Sequence, residues 1–485
     1  MSYLDQQGII LSSGLERVTG RLNASHSTWD NRLRIDMNVN ASHVSNDYGP
    51  LEETSGFEGG LLHNVIGFNP TQPVYNADGS YYEQGTGRQG IRNPVALAEQ
   101  LDDFGVTKRT LGNLAAELEL VRGLKAKINV GADQSSGNRR WYFPAQSPVG
   151  AEWNGRAIQR NLDLGSKTFQ SYLTFNRPLV AGHHFDLVGG YEFSEYTKEE
   201  FGAETRDFVT DYWRYNNLNG GKLVDKAGVY SLKETRRLVS FFGRANYNLG
   251  ERYYLTGVLR YDGSSVFGAN NKWALFPAVS AAWRISQERF MQDADFISDL
   301  RLRLGFGIQG NEAINPYGSL ALLRPDAGAR AVLGDGIVTG VAPSTYANPD
   351  LKWEESQQFN IGLDYGFMNG KYSGTIEYYL RNTYDLLLEV DVPQPAVVST
   401  RIENVGELKN QGLDMATLPI CATVTSEIEV QAMGPEYAEG SYTSFPYFQT
   451  VDNPANKKFV ADWKAYAGED AVTHHALECA YFQVF

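Results

Sequence analysis

The sequence predicts an all-β protein: a fragment of a large antiparallel transmembrane β-barrel, followed by a short α/β tail. Three observations carry this. Apolar and polar residues alternate strictly over stretches of about ten residues, short links between stretches alternate with long polar segments, and aromatic residues recur near the stretch ends. Composition agrees, since 28 Tyr, 24 Phe and 49 Gly among 485 residues suit strands and turns better than helices.

A first strand is expected over 17–26. Leu33, Ile35, Met37, Val39 and Ala41 then alternate with Arg34, Asp36, Asn38, Asn40 and Ser42, giving a strand with two chemically opposite faces. Similar stretches run from Leu114 to Leu120, Leu124 to Ala132, Phe169 to Phe175, Phe185 to Phe193, Val239 to Leu249, Tyr253 to Tyr261 and Leu275 to Ile285. Leu300, Leu302, Leu304, Phe306 and Ile308 repeat the pattern, as do Phe359, Ile361, Leu363, Tyr365 and Phe367, and a last stretch runs from Tyr372 to Leu380. About a dozen strands result.

Links decide between barrel types. Thr28 to Arg32, Val121 to Gly123, Gly250 to Arg252 and Met368 to Lys371 are short enough for hairpins, and Asn369-Gly370 is a favoured type I′ pair. Segments 43–112, 134–168, 195–238 and 310–357 are long and polar, as extracellular loops of outer-membrane barrels are. A soluble β-sandwich alternates too. Strands near ten residues and routine loops above about 15 residues favour the membrane barrel.

No apolar run approaches the roughly 18 to 20 residues of a spanning helix. A net charge of −14 repels a phosphate backbone, so nucleic acid is not an expected partner. The only cysteines are Cys421 and Cys479, both in the tail. A thiol-free remainder fits an oxidising envelope compartment or plain chance. Met1-Ser-Tyr-Leu-Asp-Gln-Gln has neither the basic patch nor the apolar core of a secretory signal.

From Leu255 the chain reads Leu-Thr-Gly-Val-Leu-Arg-Tyr-Asp-Gly-Ser-Ser-Val-Phe-Gly, then Trp273-Ala-Leu-Phe-Pro-Ala-Val-Ser-Ala-Ala-Trp-Arg-Ile. With Asn348-Pro-Asp-Leu-Lys-Trp-Glu-Glu-Ser, Ile402-Glu-Asn-Val-Gly, Arg92-Asn-Pro-Val-Ala-Leu and Phe68-Asn-Pro-Thr-Gln-Pro-Val-Tyr-Asn-Ala-Asp-Gly-Ser-Tyr, this resembles the SusC/RagA family of TonB-linked outer-membrane proteins. The resemblance covers residues 1 to about 412. It implies a bacterial outer-membrane importer of oligosaccharide or peptide, set in outer-membrane lipid, partnered by a SusD-like surface lipoprotein and driven by the TonB complex. The family's signal peptide, TonB-contacting segment, plug and last strands are not matched. An unclosed set of strands is therefore expected not to transport by itself.

Beyond about 413 the expected rhythm is α/β. Asn453-Pro454 reads as a helix start, Phe459, Val460, Trp463 and Ala467 come next at helical spacing, and a second helix is expected from His474. Leu418-Pro-Ile-Cys-Ala-Thr-Val reads as a buried parallel strand, and Ser426 with Glu429 as a capping box. Pro446 to Val460 and Glu478 to Phe485 resemble periplasmic solute-binding proteins of urea and short-chain amide ABC transporters. The expected division is therefore 1–412 and 413–485, with a junction blurred over 406–415.

No catalytic, metal or cofactor site is expected. Gly305-Phe-Gly-Ile-Gln-Gly310 matches a dinucleotide fingerprint, but Asn311-Glu-Ala-Ile-Asn-Pro cannot open a good helix after it, so glycines easing lumenal crowding are the better account. His183 with His184, and His474 with His475 and Cys479, lack further ligands and read as surface residues. Gly-x-Ser-x-Gly and Walker patterns do not occur. Ligand-binding candidates are the loop aromatics Trp141, Tyr142, Trp153, Trp213 and Trp273, which stack on sugar rings or else pack loops and girdle. Thr425 and Ser426 either touch a solute at a helix start or simply cap it. The leading expectation is import across the outer membrane. Its rivals are a periplasmic solute-binding module in the tail and a surface adhesin.

Overall fold

The computed structural model describes residues 1–49, 60–84, 91–147, 149–180, 182–225, 228–291, 293–417, 421–422, 442–443 and 461. The chain opens with strands β1 (Ser2–Gln7), β2 (Gly14–Thr28) and β3 (Leu33–Asp47), then two short helices, α1 (Leu61–Gly67) and α2 (Pro94–Gln100). Strands β4 (Asp102–Val121), β5 (Leu124–Phe143), β6 (Arg156–Val180), β7 (His183–Phe208), β8 (Gly221–Val224) and β9 (Tyr230–Leu249) come after them. Next are β10 (Tyr253–Ser264), β11 (Trp273–Arg284), β12 (Ile297–Asn311), β13 (Leu322–Leu333) and β14 (Gly336–Thr345). The last are β15 (Glu354–Phe367), β16 (Tyr372–Tyr384), β17 (Leu387–Asp391), β18 (Thr400–Asn404) and β19 (Glu407–Thr417).

Fifteen of these form one antiparallel sheet in the order β1-β2-β3-β4-β5-β6-β7-β9-β10-β11-β12-β15-β16-β19, with β8 added beside β7. Among the described residues the sheet is not closed, and β1 and β19 are its ends. Hairpins β13–β14 and β17–β18 stand outside it. Such an order is a pure up-and-down meander, the topology of an outer-membrane barrel wall.

The short links are where the sequence places them. In the β15–β16 turn Asn369 and Gly370 adopt φ of 58° and 82°, and Lys371 N–H donates to Met368 O at 3.3 Å, as a type I′ turn requires. Several segments expected as loops are strand instead. β4 to β7 and β9 extend to 20–26 residues, against 12 for β10 and β11. Their ladders simply continue where outward residues turn polar, and hydrogen bonding does not depend on that alternation.

β19 pairs with β16 from Tyr384↔Glu407 to Gly374↔Thr417 and so crosses the boundary expected at 412/413. Farther on, Cys421–Ala422 pairs in parallel with Tyr442–Thr443. Thr425, Ser426, Cys479, His474 and His475 lie outside the described residues, as does nearly all of the segment read as helix from Asn453.

Candidate functional site

Register fixes which side chains share a face. Leu124, Phe175, Leu187, Ala245, Gly257, Val279, Phe306, Phe359 and Leu380 lie opposite one another across nine consecutive strands. A parallel row joins Tyr247, Leu255, Ala281, Leu304, Ile361, Tyr378 and Leu413. Neither row contains a charge, and large side chains on it stay open, as with Leu255, Val279 and Phe306 at 42–49% exposure. Residues so apolar and so uncovered are matched to lipid rather than water.

Aromatic rings bound this surface at both ends. Toward the short turns Phe185 packs on Tyr247 at 4.5 Å, Tyr253 stacks on Trp283, and Phe296 on Phe367. Toward the long loops Phe169, Tyr191, Phe241, Trp273 and Tyr261 form a contiguous chain of rings. Tyr253 and Tyr261 are about 27 Å apart along a strand at about 3.4 Å per residue. A tilt near 40° leaves about 21 Å, close to the roughly 25 Å apolar band of outer-membrane barrels.

The opposite face is polar. Down β4 and β5 the side chains meet in diagonal pairs: Lys125 with Glu117 at 2.8 Å, Asn113 with Asn129 at 2.7 Å, Arg109 with Asp133 at 2.9 Å and Arg139 with Asp103 at 2.8 Å. An amide ladder crosses the strands, Asn113 donating to Asn129, Asn129 to Gln170 at 3.0 Å, and Gln170 to Glu192 at 3.0 Å. Asn23, Asn38, Asn113, Asn129, Asp133 and Gln170 floor a recess of about 570 Å³. On β12, β15 and β16, Arg303 clamps Asp364 with two bonds and reaches Glu377, which accepts from Asn360 at 2.6 Å. Most polar groups on this face are held by a neighbour, the character of a polar barrel interior.

These inner residues were not singled out by the sequence alone. For Lys125, Asn129, Gln170, Glu192, Arg303, Asn360, Asp364 and Glu377 the signal was present, since each occupies the alternate position between apolar residues already recognised, whereas Asp103, Arg109 and Arg139 lie in segments read as loops.

The motif stretches are brought together as two packed cores at the long-loop end. Val266, Phe267, Phe276, Leu351 and Trp353 bury one another, with Trp353 4.7 Å from Phe267 and 5.3 Å from Phe276. Gly268 N–H donates to Leu351 O, Trp353 Nε1 to Lys272 O, and Asn348 Nδ2 to Ile402 O. A Cβ at position 268 would stand 2.1 Å from Pro349 O, so only glycine fits. Asn404 and Lys352 exchange two further bonds.

In the second core Leu61, Leu97 and Leu101 pack against Trp141, Phe143 and Ile158 on the inner side of the long strands. Asn93 caps α2, accepting from Val95 and Ala96 N–H, and its amide donates to Val74 O and Tyr82 O. Tyr81 donates to Glu99 at 2.5 Å, a bond that pushes its phenol up to about 12.

The candidate aromatics fall in different places. Trp141 is 2% exposed inside the second core, and Tyr142 is fully buried against Phe208, its hydroxyl donating to Asp211 at 2.6 Å. Neither ring offers a free face to a sugar. The guanidinium groups of Arg156 and Arg206 stand 4.9 and 5.4 Å from the Trp153 ring. Trp213 and Trp273 keep 42% exposure, and Trp273 stands in the outer ring chain. Gly305 to Gly310 lie along β12 with no helix after them, and His183 bonds Tyr247 at 2.8 Å.

Comparison with known proteins agrees with this geometry. The model of the family described as TonB dependent receptor-like, beta-barrel matches residues 19–473. TonB-dependent receptor P3 of Formosa agariphila is 34% identical over 417 residues, covering 86% of this chain and 41% of that protein. TonB-dependent receptor SusC of Bacteroides thetaiotaomicron is 28% identical, covering 86% and 42%. A solved structure of the RagAB peptide transporter superposes with a TM-score of 0.72 at 26% identity, covering 85% of this chain and 45% of that one. The chain thus spans about two fifths of the curated relatives it matches. The family match extends to residue 473, whereas the matches to the curated relatives cover 86% of this chain.

Proposed function

This chain belongs to the TonB dependent receptor-like β-barrel family, and from that premise we propose that it forms much of the wall of an outer-membrane nutrient importer. The observation that carries the proposal is the two-faced wall. Uncharged rows bounded by aromatic rings meet lipid, and the amide and ion-pair ladders line the passage. The long loops then face the cell surface and the short turns the periplasm.

Energy would come from the TonB complex, and a SusD-like lipoprotein would present the cargo. Peptide is favoured as the cargo class by the 26% identical RagAB peptide transporter, and oligosaccharide is the alternative. Uptake of labelled peptides and oligosaccharides by cells carrying the complete receptor, with and without TonB, tests this. TonB-dependent entry of one class is expected, and entry of neither would overturn it.

We also propose that the wall ends near Thr417, the last described residue paired with β16, and that the tail beyond is a separate unit. Limited proteolysis of the membrane-inserted protein should release the tail. A tail as resistant as the wall would overturn the division.

A further inference from the structure

On the inner face of β9 to β16 most cations are consumed by the wall itself. Arg236, Arg260, Arg284, Arg301 and Arg303 are each paired with a nearby carboxylate. Arg244 and Arg381 differ: among the described residues neither has an ion pair, a hydrogen bond or a ring contact, and both are exposed. Register sets the two on one line. Arg244 lies opposite Val258, and the line continues through Ala278, Gly307 and Gln358 to Arg381.

Between these guanidinium groups the wall is hollow. Val258, Ala278 and Gly307 are short, and a recess of about 350 Å³ opens over them. Through Thr256, Ser280, Gly305 and Asn360 it joins a second recess of about 310 Å³. Gln309 and Gln358 line the first, and among the described residues neither side chain is bonded to a neighbour. In the recess on β4 to β6, by contrast, Asn113, Asn129 and Gln170 bond one another.

We propose that this trough binds acidic peptides on their way through the wall, with cargo carboxylates meeting Arg244 and Arg381. The inference rests on the peptide-import reading above and narrows it to one charge class. A guanidinium offers a carboxylate two parallel N–H bonds, and these two are free to do so. The Gln309 and Gln358 amides both donate and accept, as a peptide backbone does. The low floor of Ala278, Gly305 and Gly307 lets an extended chain lie close. Arg244 and Arg381 are five strands apart, about 24 Å along the wall at about 4.8 Å per strand, which about seven extended residues cover at about 3.4 Å each. Carboxylates of the wall do not repel such a cargo, because Arg260 holds Asp262 and Arg303 holds Asp364 and Glu377.

The test uses the complete receptor in mild detergent and two fluorescent octapeptides of Gly and Ser, one carrying Glu at its second and seventh positions and the other Gln. The wild type should bind the Glu peptide at least fivefold more tightly. Arg244→Gln/Arg381→Gln should remove that preference while leaving the Gln peptide within twofold, and Arg244→Lys/Arg381→Lys should restore part of it. Lys167→Gln, at an exposed outward position, should change neither affinity. Equal binding of the two peptides by the wild type would overturn the proposal. So would an equal loss for both peptides in the double Gln variant, since the arginines would then support another part of the receptor. Arginine-dependent binding of an oligouronate in place of the Glu peptide would overturn the choice of peptide. TonB-dependent entry of neither peptide nor oligosaccharide into cells would instead refute the import reading on which the inference stands.

Discussion

The β4–β9 side of the wall and the β10–β16 side share one apolar belt but end differently above it. On the first side the strands rise far past the rings and shelter α1 and α2 on their inner face. On the second, β10 and β11 stop at the rings, and the loops before β11 and β15 lock together around Trp353. Both solutions bury the loop backbone's polar groups, one by extending the ladder and one by a network of asparagine side chains. The difference teaches that belt and rims are separable. Lipid dictates the belt, and each rim is a small water-soluble core built on top of it.

The largest expected effect separates the rims. Trp353→Ala removes a ring that is 5% exposed together with its bond to Lys272 O, and should cost the low rim about 3 to 5 kcal/mol. Proteolysis should open 264–272 while 60–84 and 91–101 stay protected. Leu97→Ala, at a fully buried position, should do the reverse at about 2 to 5 kcal/mol. If either variant opened both regions, the rims would be one core.

A charge probes the belt against the tall wall. Leu304→Lys, in mid-belt, should cost about 2 to 4 kcal/mol in bilayer refolding titrations, whereas Gln134→Lys above the rings should cost almost nothing. Equal costs would erase the distinction between the two regions. Asn93→Ala is expected to weaken the α2 lobe by about 1 kcal/mol or somewhat more, seen as faster amide exchange at Val95 and Ala96.

The smallest effect is electrostatic. Burial pushes the Glu204 carboxyl up, but Arg156 and Arg206 outweigh it and hold the group below its ordinary value. A depressed carboxylate stabilises the folded state above its unfolded pKa, and that contribution is lost as pH falls through the lower folded value. Amide protection factors at the tops of β6 and β7 should therefore fall as pH drops below about 4, with those of the belt unmoved.

The belt was legible because lipid on one face and water on the other force alternation at every second residue, as at Leu33 to Ser42. Above the rings neither face meets lipid, so Gln134 to Phe143 and Thr197 to Phe208 are strand without a period-two pattern to announce it. β1 escaped notice for the same reason, all six of its residues being exposed. The inner ladder was half legible: its residue types stood in the alternate positions, but which Asn meets which Gln depends on register. Trp141 and Tyr142 invited a sugar-stacking role from composition alone, and only the packing of Leu97 and Phe208 shows why those rings are buried.

The central claim is that one face of these strands meets lipid and the other water. Spin labels placed singly from residue 253 to 261 in the bilayer-inserted protein test it, by collision with oxygen and with a water-soluble nickel chelate. The account predicts period-two profiles in opposite phase, oxygen favoured at 255, 257 and 259 and nickel at 256, 258 and 260. Profiles in phase, or without periodicity, would contradict it.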